Sequence, residues 1–158
     1  FRGLGLSFQE VVVALIGNNM LQFNELKKFA IKLAFIVAGT LMLIAFTPLA
    51  EIWFTDVSGL SEVLTDFAKA PLMIMSFFPA LTVLISFQRA ILVKAKETKQ
   101  ITYGTAIEFI GIIIVVAFCI KFLSLVGAIA ATLAFVIGRI AACAYLIPPS
   151  IRALKINQ

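Results

Sequence analysis

Histidine is absent, cysteine occurs twice, and charged residues make up only 13% of the chain. Each scarcity excludes something. Without histidine, and with no cluster of thiols, the usual zinc arrangements cannot be assembled. Cys119 and Cys143 stand alone inside apolar runs, where a thiol behaves as a small apolar filler. No nucleophile is spaced beside a base, and Gly3 and Gly5 follow no strand, so neither a hydrolytic site nor a nucleotide fingerprint is legible. The expectation is a protein that is not an enzyme and that carries no resident cofactor. The low charge argues further. Soluble domains carry about a quarter charged residues. This chain spends its length on apolar residues instead: 62% hydrophobic, with a mean hydropathy of +1.10. A soluble fold of 158 residues could not hide that much apolar surface. A bilayer removes the need, because lipid tails are themselves apolar.

The apolar residues fall into long runs. Five of them suit helices, at about residues 4–21, 29–54, 63–87, 101–120 and 122–147. They are too long for barrel strands and show no strict polar/apolar alternation. The fold class expected is therefore an all-α membrane protein, a single bundle of about five transmembrane helices. Polar links separate the runs: Gln22 to Lys28, Asp56 to Gly59, and the basic stretch Arg89 to Lys99. Pro148 and Pro149 are expected to close the last helix. The chain opens at Phe1, with no methionine and no signal-peptide pattern, and is expected to be part of a longer one.

Charge placement sets an orientation. The net charge is +5, but the charges lie between apolar runs, not along one polar face, which argues against a nucleic-acid partner. With antiparallel helices one side receives Lys27, Lys28, Lys32, Arg89, Lys94, Lys96, Lys99, Arg152 and Lys155. The other receives Arg2, Lys69 and Lys121 beside Glu51, Asp56, Glu62 and Asp66. The basic side is expected to be cytoplasmic, with the C-terminus inside and the bilayer of the cell (inner) membrane as the partner. Trp53, Tyr103 and Tyr145 suit interfacial anchors.

A few polar residues stand inside the runs. Glu10, with Gln9 beside it, lies halfway along the first helix. A carboxylate there is costly and normally faces protein or water, either as a proton or cation site or as a hydrogen-bonded structural group. Glu108 lies eight residues past Gln100, and Arg139 nine residues before Pro148, on helices expected to run antiparallel. At 1.5 Å per residue both sit roughly 12–14 Å below one surface. Equal depth on consecutive helices suggests an ion pair, as a structural clamp or as a gating switch. Ala130, Ala134, Gly138 and Ala142 form a small-residue stripe that lets another helix approach closely. Pro71 and Pro79 lie in one helix and are candidate hinges or tolerated kinks. Lys69 is one turn from Asp66 and within reach of it.

Three stretches together carry a resemblance. They are GLSFQEVVVALIGNN followed by ELKKFA, then SFQRAILVKAKETKQIT, then FLSLVGAIAATLAFVIGRI. In this order the chain resembles the multidrug and toxic compound extrusion family, and more broadly the multidrug, oligosaccharidyl-lipid and polysaccharide exporter superfamily. The likeness spans nearly the whole chain. Where the family has a glycine in the second stretch, this chain reads Gln88-Arg89-Ala90. The resemblance implies half of a twelve-helix transporter, the C-terminal half by preference. Its partners would be the other six-helix half and a small-molecule or lipid-linked substrate. It further implies secondary active transport by alternating access: efflux of amphipathic cations coupled to a proton or sodium ion, or flipping of a lipid-linked glycan. A membrane scaffold without transport is the competing class.

Overall fold

A computed structural model describes residues 2–16, 23–123 and 127–156. Among the described residues the regular structure is entirely helical. The helices are α1 (Arg2–Leu15), α2 (Phe23–Phe46), α3 (Leu49–Ile52), α4 (Glu62–Met75), α5 (Phe78–Lys94), α6 (Thr98–Phe118) and α7 (Gly127–Ile156). Wide π-helical turns extend α3 over Trp53–Val57 and α6 over Cys119–Leu123. Four segments are long and apolar enough to cross a membrane: Phe23–Phe46, Glu62–Lys94, Thr98–Phe122 and Gly127–Lys155. Large apolar side chains such as Phe35, Ile36, Phe109 and Ile114 point outward. Together these features fit a membrane-embedded, all-α protein.

Several expected boundaries move, each for a local reason. The link expected at Gln22 to Lys28 is helical from Phe23, so Lys27, Lys28 and Lys32 are carried on α2. That helix stops at Phe46, short of the expected residue 54, because Pro48 supplies no N–H and disfavours helical backbone at Thr47. The helix expected over 63–87 continues to Lys94 and is interrupted at Ser76–Phe77. Pro79 causes the interruption: it offers no N–H to the Met75 carbonyl and crowds it. Ser76 lies in the break, its Oγ donating to the Met73 carbonyl at 2.6 Å. Pro71, by contrast, is absorbed inside α4. The last helix does not close at Pro148 and Pro149 but runs through them to Ile156. Packing holds that extension, with Ala153 buried in the core. The first helix is described to Leu15; the part expected to reach residue 21, with Asn18 and Asn19, lies outside the described residues.

The core is organised around α5. Phe8 and Val12 of α1, Val83 and Leu92 of α5, and Ala142 and Leu146 of α7 are buried together. Phe8 stacks on Phe87 with ring centroids 6.4 Å apart. The outer helix α6 leans on α7, where Gly104 lies against Leu146, an added Cβ falling 3.0 Å from its side chain. The small-residue stripe of α7 is buried: Ala130, Ala134 and Ala142 are each almost fully covered.

Candidate functional site

A tight turn aligns α5 with α6. Lys96, the residue after the C-cap Ala95, adopts a left-handed φ of 60°. The Lys96 N–H reaches the Val93 carbonyl at 3.1 Å and the Glu97 N–H reaches the Leu92 carbonyl at 2.9 Å, closing α5 as a glycine usually would. The chain then returns as α6, which rises to Glu108. Gly138 lets α7 come against that point: an added Cβ would lie 2.9 Å from the Glu108 carbonyl oxygen and 2.8 Å from Ile112 Cγ1. Gly111 faces the same crossing, its added Cβ 3.5 Å from Gly138 Cα.

The close approach brings charges together inside the bundle. Arg139 Nη2 lies 2.9 Å from Glu108 Oε1. The ion pair expected from equal depth is therefore formed. A second arginine joins it. Arg89 Nη2 stands 3.8 Å from Glu108 Oε2 and donates to Thr105 Oγ1 at 3.2 Å. The side chains of Arg139, Glu108 and Arg89 are only 7%, 12% and 19% exposed. The Arg139 guanidinium also lies over the Phe78 ring, 4.8 Å from its centroid. Beside the charges, Gln88 Nε2 donates to the Cys143 carbonyl at 3.1 Å, and the Cys143 thiol faces the Leu81 carbonyl at 3.7 Å. One carboxylate thus meets two guanidinium groups where α5, α6 and α7 converge.

Arg89 is the residue that sequence reasoning misplaced. Read as the first residue of a basic link, it lies inside α5. The signal was available: Ala90, Ile91, Leu92 and Val93 continue the apolar run past it. The other expected residues stand apart. Gln9 is partly buried and Glu10 exposed on α1. Among the described residues no ion pair joins Glu10 to the cluster. The pair suggested for Asp66 and Lys69 is formed at 2.9 Å, and Lys69 also reaches Glu51 on α3. Of the two candidate hinge prolines, only Pro79 interrupts a helix.

No family model, no curated protein and no solved structure matches the chain.

Proposed function

We propose that the chain is one helical bundle of a secondary active transporter of the multidrug and toxic compound extrusion type. It would work by alternating access against a second bundle. One observation carries the reading: Glu108 held between Arg139 and Arg89 inside apolar helices. Charges at such depth are costly and are commonly placed where an ion, a substrate or a switching contact needs them. Two arginines competing for one carboxylate make an exchangeable contact, of the kind a two-state rearrangement of α5 against α6 and α7 would use. Glu10 and Gln9 on α1 are the candidate coupling site, with a proton or sodium as the ion. The exported class is amphipathic or cationic small molecules, and the basic ends face the cytoplasm of the cell membrane.

A specific observation favours a second reading. Arg89 makes the cluster net positive, which suits a phosphate better than a cation. On that reading the protein flips a lipid-linked glycan.

Reconstitution separates these readings. The full-length protein in liposomes should move a fluorescent lipophilic cation when a proton or sodium gradient is imposed. Glu10→Gln should abolish that dependence while leaving insertion intact. Gradient-independent movement of a pyrophosphate-linked lipid, with no cation flux, would select the second reading. Flux equal to that of empty liposomes for both substrates would reject transport and leave a scaffold.

A further inference from the structure

The two cations of the buried cluster are held unequally. Arg139 Nη2 bonds Glu108 Oε1 at 2.9 Å, while Arg89 Nη2 stops 3.8 Å from Oε2. Charge does not explain the difference, because two guanidinium ions face one carboxylate. Their other neighbours do. Arg139 lies over the Phe78 ring, 4.8 Å from its centroid. Arg89 donates to Thr105 Oγ1 at 3.2 Å, and that hydroxyl is itself turned back to the Ile101 carbonyl at 3.0 Å. One arginine is thus held onto the carboxylate under an aromatic face. The other is held off it by a neutral oxygen.

Phe78 is placed to act on that balance. It is the first residue of α5, directly past the Ser76–Phe77 interruption. It is 7% exposed, so its ring meets the Arg139 guanidinium in a desolvated setting, where a cation–π contact is strongest. Its backbone is fixed as well. Thr82 Oγ1 donates to the Phe78 carbonyl at 2.9 Å, and Thr82 packs so closely on Gly5 of α1 that an added Cβ would fall 2.8 Å from its Cγ2. Arg89 stands three turns further along the same helix. So α5 supplies both the ring that secures Arg139 and the cation that competes with it. A displacement of α5 against α7 acts on both at once.

We propose that Phe78 is a positioning residue for the exchange at Glu108: its ring sets which arginine the carboxylate takes, and Thr105 keeps the rival in reserve. With the ring in place, Glu108 belongs to Arg139. With the ring withdrawn, Arg139 loses its advantage, and Arg89 is already within 3.8 Å. The use of this exchange in transport rests on the reading above, whereas the pairing order rests on the geometry of the cluster.

Arginine side-chain NMR on the full-length protein in nanodiscs reads the pairing without a transport step, with signals assigned through Arg89→Lys and Arg139→Lys. In the wild type the Arg139 Nη hydrogens should exchange with water more slowly than those of Arg89. Phe78→Leu keeps an apolar side chain and removes the π face. Protection of Arg139 should then fall about tenfold, the balance a desolvated cation–π contact supplies, and that of Arg89 should rise. Phe78→Tyr should keep the wild-type order. An unchanged order in Phe78→Leu overturns the proposal. So does a loss of protection at both arginines together, which would make the ring space-filling only. If Phe78→Leu does not fold, Thr105→Val, at an exposed position, decides: protection gained at Arg89 and lost at Arg139 supports the proposal, and no gain at Arg89 overturns it. Flux at the empty-liposome level in the wild type would reject transport and leave the pairing order standing.

Discussion

Gly138 and Glu108 touch through the backbone: a Cβ on Gly138 would lie 2.9 Å from the Glu108 carbonyl oxygen. The same crossing sets the neighbouring Arg139 guanidinium against the Glu108 carboxylate at 2.9 Å. Packing and electrostatics at the cluster are thus one feature. The missing side chain brings the helices close enough for the charges to meet.

Gly138→Ala should therefore destabilise the protein by about 1–3 kcal/mol, the range for overpacking a tight contact. Gly111→Ala is the control. Its Cβ would meet Gly138 Cα at an ordinary 3.5 Å, and alanine is the better helix former. Thermal unfolding in detergent should show a lower midpoint for Gly138→Ala only. Equal midpoints would mean that α6 and α7 are not in contact there.

Removing the shared carboxylate should hurt more than removing either arginine. Glu108→Gln takes a shared carboxylate from two guanidinium groups at once, whereas Arg139→Gln still leaves Glu108 near Arg89. Breaking a buried pair from one side costs about 3–5 kcal/mol. The order of folded yield expected is wild type, then Arg89→Gln, then Arg139→Gln, then Glu108→Gln. The Glu108→Gln/Arg139→Gln double variant should recover part of the loss, because it buries one cation fewer. A double variant as poor as the sum of its singles would argue that the two do not interact.

Lys96→Gly should stabilise the α5–α6 turn. Lys96 holds a left-handed conformation, φ 60°, that costs an ordinary residue roughly 1 kcal/mol and glycine little. A raised unfolding midpoint is expected. A lowered one would mean that the lysine side chain contributes more than its backbone strain removes.

The two prolines of the α4–α5 segment should differ. Pro79→Ala restores an N–H at the interruption, so the segment should straighten. Spin labels at Val63 and Val93, near its ends, should move apart in that variant and stay in place in Pro71→Ala. No change in Pro79→Ala would shift the cause of the break to the surrounding packing.

What the sequence determined by itself was one-dimensional. Hydropathy and run length make the chain helical and apolar. Depth along a helix needs only the rise per residue, which is why Glu108 and Arg139 could be matched before any contact was known. Rotation about the helix axis and the choice of neighbours are not local properties. That Arg89 lies inside α5 was legible in the apolar run past it, but only the tertiary structure made it a third member of the cluster, because that depends on which face of α5 meets α6 at Glu108. The prolines divide in the same way. Each lacks an N–H, yet Pro79 breaks its helix while α7 carries Pro148 and Pro149 within its length. The local penalty is the same in both places. On either side of Pro148 and Pro149, the burial of Leu146 and Ala153 offsets it, and that burial is decided by which helices lie alongside.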